Sequence, residues 1–301
     1  NPVGAGGSAT FEGSSLIRRS LADGLAEKGV LVTSFEEAID GGLDDATAAR
    51  VRDALLKGVA EANNRLAVWH YAVLTHGVII SVPRFVELPE PFLISFEESG
   101  DAVLRAPQIV ALGAEGARFS VVARTRQGDE GEVLFNEGVD VVVGDAGKVE
   151  FFGVQNVNID ASYVSNGFAT IGRDAVFRGY SSVFGGMFNK YRFDVEPVGP
   201  GADAFLGGVY FPHEDQHVDM RTVQHHVAPK AHSLTLYKGA VTDEAHSVYQ
   251  GLISVEHDAV DTDAYLTNNN LILGDDAQAP SPCEEGIALD ESALRRDPQL
   301  V

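Results

Sequence analysis

From about residue 77 to residue 273 the chain alternates apolar and polar positions with a period of two, which predicts β-strands. Val78, Ile80 and Val82 alternate, Pro83 and Pro89 interrupt, and Phe92, Ile94 and Phe96 resume the pattern. It persists through ARFSVVARTR, GEVLFNEGVDVVVGDAGKVEFFGVQNVNI, DAVFRGYSSVFGGMF, AHSLTLYKGAV, AHSVYQGLISV and DAYLTNNNLIL. No segment of helical length breaks the run. Between the strands, turns with Gly or Asp followed by a small residue recur at GAEGA, GDAGK, GRDA, GPGADA, TDEA, EHDA and GDDA. Stacked β-rungs with small-residue corners read this way. A sandwich or jelly roll is the competing reading, since it also needs many short strands.

The remainder reads differently. Residues 1–13 are Gly-rich and predict a flexible start. Ile17, Leu21 and Leu25 in SSLIRRSLADGLAEKG form a helical stripe ending at Gly29. GVLVTS predicts a short strand. Thr33 or Ser34 then caps a helix, with Glu36 or Glu37 three positions on. Residues 46–68 predict one further helix, so 14–76 form a small α/β lobe, 77–278 the β core, and 279–301 a linker with a short helix around Leu294.

Composition narrows the classes. Hydrophobic residues make up 45% of 301, ordinary for a globular chain, and the 32 glycines follow no three-residue period, which excludes collagen. The formal charge of −22 argues against binding a nucleic-acid backbone, because phosphate contacts need clustered Lys and Arg. A single cysteine, Cys283, excludes an internal disulfide framework and fits a reducing, cytoplasmic setting. No apolar run is long enough to span a bilayer, and the first thirty residues lack the order of a signal peptide.

Five of the nine histidines, His213, His217, His225, His226 and His232, crowd into twenty residues. His213-Glu214-x-x-His217 matches the zincin letters, but that motif needs a helix, and Pro212 and the surrounding residues predict strand. On a strand, His213 and His217 stand about 13 Å apart. Adjacent His225 and His226 would face opposite sides of a strand. Near pH 7 these rings are expected to be neutral, bonded residues. Ser181, Ser182, Ser233 and Ser247 fall in strands with no Gly-x-Ser-x-Gly elbow. GDAGK at 144–148 is a turn and not a phosphate loop. Asp261 and Asp263 could line a groove, yet such pairs are common in so acidic a chain. No catalytic residue and no metal site is assigned.

The ordered string at 215–278 closely resembles the core of the SufB/SufD family of iron–sulfur cluster assembly scaffolds. The matching positions are His217, His225, His226 and Pro229; then Ser233, Tyr237, Lys238 and Gly239. Tyr249, Gly251, Ile253 and Val255 follow, and finally Asn268, Asn270 and Leu271. EKGVLVTSFEEAI and HGVIISVPRFVE resemble the family's N-terminal lobe and first strands. One departure is that the family's Cys-Ser-His-Gly motif reads here as Cys283 followed by Glu284 and Glu285.

The resemblance implies a mainly β fold, a right-handed parallel β-helix with small helical N- and C-terminal flanking parts. It implies a non-catalytic scaffold, more like SufD because cysteines are scarce. Its partners would be a SufC-like ABC ATPase and a SufB-like paralogue or a second copy. An iron–sulfur cluster would be held transiently in the complex, and a flavin is left open. Tyr237, Lys238, Gly239, Gly251, Asn268 and Asn270 would be the structural core of the motif. His225, His226, His232 and Cys283 would lie in the interface or cluster-transfer region. The rival reading is a β-helix or cupin-like metal-dependent hydrolase.

Overall fold

The computed structural model describes residues 4–61, 64–74, 76–128 and 131–280. The chain opens with β1 (Gly7–Glu12), β2 (Ser15–Leu21) and β3 (Leu31–Ser34), followed by α1 (Phe35–Glu37), α2 (Asp45–Glu61) and α3 (Arg65–Val73). Then come β4 (His76–Val82), β5 (Phe92–Glu98), β6 (Val103–Arg105), β7 (Pro107–Gly113), β8 (Arg118–Gln127) and β9 (Val133–Val143). The later strands are β10 (Lys148–Asn156), β11 (Ser162–Ile171), β12 (Val176–Val183), β13 (Phe188–Pro197) and β14 (Asp203–Tyr210). The last are β15 (His217–His226), β16 (His232–Val241), β17 (His246–Val255) and β18 (Asp263–Ile272).

From β7 onward successive strands alternate between two sheets, and each pairs in parallel with the strand two places away. One sheet ends in β14-β16-β18 and the other in β13-β15-β17. Lys148, Val176, Asp203, His232 and Asp263 stand in register, at successive offsets of 28, 27, 29 and 31 residues. The fold is therefore a mainly β solenoid, and the sandwich alternative fails because its sheets would be antiparallel.

Alternation decides what fills the rungs. Phe151, Phe177, Phe193, Leu206, Tyr237 and Tyr249 point inward and join one continuous core. Phe193 lies 5.7 Å from Phe177 and 6.4 Å from Phe151, centroid to centroid. Burying each such ring contributes about 1.5–3 kcal/mol. The corner rhythm has a direct cause. Ala146, Asp174, Lys230 and Asp261 adopt positive φ of 53–59°. That kink turns the chain so that Ala175, Ala202 and Ala231 tuck fully into the interior.

Three local expectations change. The Gly-rich start is not loose up to residue 13: β1 pairs in parallel with β5, and its Ala9 and Phe11 are buried. The stripe at 14–29 is not a helix, because β2 pairs antiparallel with β1 across a bulge at Thr10/Phe11. Leu21 ends that strand, Leu25 sits in the following turn, and both pack on the core from different elements. Residues 46–68 hold two helices, with Asn64 capping α3 by accepting from the Ala67 N–H at 2.8 Å. The predicted capping box is present, since Ser34 accepts from the Glu37 N–H and Glu37 from the Ser34 N–H. The expected C-terminal helix and Cys283 lie outside the described residues.

Candidate functional site

The histidine-rich strands occupy the last rungs of the solenoid. β15 buries Val218, Met220, Thr222, Gln224 and His226, so His225 faces outward and His226 inward, as period-two alternation requires. His226 is fully buried, and its Nε2 bonds the Ser233 hydroxyl at 2.7 Å across the rung corner. Burial, helped by nearby His225 and His232, holds it down to about 4, so the ring is neutral near pH 7.

His225 behaves in the opposite way. Its Nε2 contacts Glu256 Oε1 at 2.9 Å and its Nδ1 approaches Glu196 Oε1 at 3.5 Å. The hydrogen bond to Glu196 chiefly, with Glu256 assisting against burial, raises His225 to about 9. The expectation of a neutral ring is corrected here: the two flanking carboxylates keep it an imidazolium at pH 7. Glu196 also receives Lys57 from α2 at 2.8 Å, so a charged chain ties that helix to the outer face of the solenoid.

This arrangement has a pH signature. The folded-state value of about 9 exceeds the unfolded value of about 6.5. The stabilisation is therefore fully present below pH 6.5 and is lost as pH rises through 9. His225→Gln should remove that loss, about 1 kcal/mol or less because the ring is partly solvated. Urea midpoints at pH 6.5 and 9 read it directly; a variant that keeps the parent's decline would show that another group is responsible.

His232 lies on the outer face of the other sheet. Its Nδ1 is 3.2 Å from Asp203 Oδ1, its Nε2 is 3.6 Å from Asp263 Oδ2, and Arg178 also pairs with Asp203. His225, His226 and His232 thus point in three directions, and the fold does not gather them into one centre. His213 sits in the turn before β15, which is not helical. Among the described residues no group of three or more His, Cys, Asp or Glu could hold a metal ion. Ser181 donates to the Tyr237 hydroxyl at 3.3 Å. Asp261 occupies a corner at positive φ. Gly147 closes the GDAGK turn by donating to the Gly144 carbonyl at 2.9 Å.

The motif residues take distinct places. Tyr237 is buried against Tyr249, with ring centroids 5.3 Å apart. Gly239 is required, because a Cβ there would lie 2.3 Å from both Asn270 Oδ1 and the Tyr210 ring. At Gly251 it would meet Leu266 at 2.0 Å. Asn268 and Asn270 both accept from the Tyr210 hydroxyl, at 3.1 and 2.6 Å. Lys238 is exposed and belongs to no core.

β18 ends its sheet and pairs only with β16 among the described residues. Its surroundings expose Tyr265 (43%), Leu271 (59%), Ile272 (53%) and Leu273 (56%). β17 ends the other sheet, but Ser247 and Tyr249 donate to the Gln278 and Pro280 carbonyls, so part of that edge is covered.

One pair escaped the sequence reading. His217 and His246 begin β15 and β17, are register partners, and bring their Nδ1 atoms to 3.1 Å. The available signal was their separation of 29 residues, one rung.

Comparison with known proteins matches residues 96–285 to the model described as SUF system FeS cluster assembly, SufBD core domain. An iron–sulfur cluster assembly SufBD family protein of Mycobacterium bovis is 28% identical over 225 residues, 72% of this chain and 56% of that protein. A SufBD family protein of Mycobacterium leprae is 30% identical over 236 residues, 76% of this chain and 59% of that protein. The SufD of Bacillus subtilis is 23% identical over 267 residues, 86% of this chain and 59% of that protein. The chain thus spans a little over half the length of these curated relatives.

Proposed function

Since this chain belongs to the SufBD family of the SUF system for iron–sulfur cluster assembly, we propose that it is a SufD-like scaffold subunit that docks through the open end of its solenoid. Its partner there is a SufB-like paralogue or a second copy of itself. Nucleotide hydrolysis belongs to a separate SufC-like ATPase, and the cluster is cargo that passes through the assembly in the cytoplasm. The SufD likeness of the Bacillus subtilis relative supports the subtype.

The observation that carries this reading is the edge of β18. Among the described residues the outer edge of β18 has no strand partner. Such an edge offers backbone donors and acceptors, so capping it removes both a polar row and the adjoining apolar side chains from water. Leu271, Ile272 and Leu273 supply that apolar strip. Stable pairing calls for about 1,200–2,000 Å² of buried surface, more than the strip alone, so strand-to-strand and rim contacts must contribute.

Leu271→Lys combined with Leu273→Lys should weaken association with the SufB-like subunit at least tenfold, measured by light scattering and titration of the full-length proteins. These side chains are exposed, so the fold should survive. Undiminished pairing would place the interface elsewhere. Retention of the ATPase by the same variant separates a broken subunit contact from a broken complex.

A further inference from the structure

We propose that His217 and His246 form a two-histidine site for a divalent late-transition ion, of the class Cu²⁺, Ni²⁺ or Zn²⁺, on the outer face of the solenoid. The proposal is independent of the scaffold reading.

The solenoid builds what a single strand cannot. The two residues stand one rung apart in parallel register, so their Cβ atoms project from the same face at about the 4.8 Å strand spacing. Their rings lie 5.0 Å apart with a 42° tilt, and the Nδ1 atoms face each other at 3.1 Å. Metal–imidazole bonds are about 2.0–2.1 Å, so two nitrogens in neighbouring coordination positions are separated by about 2.9–3.4 Å. The observed separation falls inside that range.

Three further features fit. Phe188, one rung earlier in the same column, stacks flat on His217 at 5.6 Å with a 5° interplanar angle, which fixes the ring's orientation. The 3.1 Å contact between the two Nδ1 atoms requires one ring to accept, so a bare ring nitrogen already faces its partner. Both rings are only partly buried, leaving a path for the ion. Asp219, the nearest carboxylate on β15, is held by Lys190 and Arg221. The remaining coordination positions therefore fall to water.

The metal replaces the N–H···N contact between the rings. One ring already presents a bare Nδ1, and the other must move its proton from Nδ1 to Nε2. No net proton is released. Copper is expected to bind most tightly, following the general order of affinities for nitrogen sites.

The test uses the untagged full-length chain, stripped with chelator. Titration with Cu²⁺ should show one saturable equivalent whose electron paramagnetic resonance spectrum carries hyperfine structure from two nitrogens. Calorimetry with Ni²⁺ should give the same stoichiometry. His217→Gln and His246→Gln should each weaken binding at least tenfold, while His213→Gln, in the neighbouring turn, should leave it unchanged. Bound metal ties β15 to β17, so Ni²⁺ should raise the thermal midpoint of the parent but not of either variant. Circular dichroism checks that the variants fold, and Phe188→Ala offers a milder perturbation that should weaken binding without removing a ligand. No saturable equivalent, a single-nitrogen spectrum, or binding unaffected by His217→Gln would each leave the pair a structural hydrogen bond only.

Discussion

Gln108→Leu should cost about 2–6 kcal/mol and loosen α3 before it loosens the solenoid, because it leaves two buried polar groups without their partner. His70 of α3 is fully buried. Its Nδ1 lies 2.6 Å from the Asn136 carbonyl and its Nε2 2.7 Å from Gln108 Oε1. The Gln108 amide donates in turn to Asp140 Oδ2 and to the Ile109 carbonyl, each at 2.9 Å, and the Tyr71 hydroxyl donates to Asp140 at 3.2 Å. Burial pushes Asp140 up to about 8 and pushes His70 below its ordinary value. Gln108 is the bridge between the two.

Leucine fills much of the same space but supplies neither the donor nor the acceptor. His70 and Asp140 would then be stranded away from water. Gly138 adds to the constraint, since a Cβ there would lie 2.1 Å from Gln108 Oε1 and 2.3 Å from His70 Nε2. The cluster therefore has no slack. Urea unfolding gives the loss in stability, and hydrogen exchange should show α3 amides losing protection by a larger factor than those of β11 or β13. Equal loss across both regions would mean that the bridge supports the whole rung stack and does not specifically hold the helix.

Tyr237→Ala should destabilise by about 3–5 kcal/mol, whereas Tyr237→Phe should cost only about 1 kcal/mol. The ring is 1% exposed and packs against Tyr249 across the interior, so truncation leaves a cavity inside a rung whose backbone cannot collapse without breaking parallel pairing on both sides. The hydroxyl accepts from Ser181 at 3.3 Å and is also hydrogen-bonded to Tyr191, and neutral bonds of this kind contribute only about 1 kcal/mol. The gap between the two variants measures how much of this motif position is volume and how much is polarity. Equal and large losses in chemical denaturation would show that the hydroxyl carries the stability instead.

Local chemistry determined much of this protein. Period-two alternation specified the strands, and it specified that His225 and His226 part to opposite faces. Turns with Gly or Asp before a small residue marked the corners, where the chain kinks through positive φ. Ser34 and Glu37 announced the start of α1, since both halves of that box lie within four residues.

Tertiary structure decided the rest. Leu21 and Leu25 kept a helical spacing although β2 exists only because β1 pairs with it. Lys57 meets Glu196 across 139 residues, and His225 is charged only because Glu196 and Glu256 arrive from the preceding rung and the following turn. The contact between His217 and His246 depends on a rung of 29 residues, while neighbouring rungs run from 27 to 31. Rung length is set where each corner closes, and a change of one residue would turn the facing histidine to the other side of the sheet.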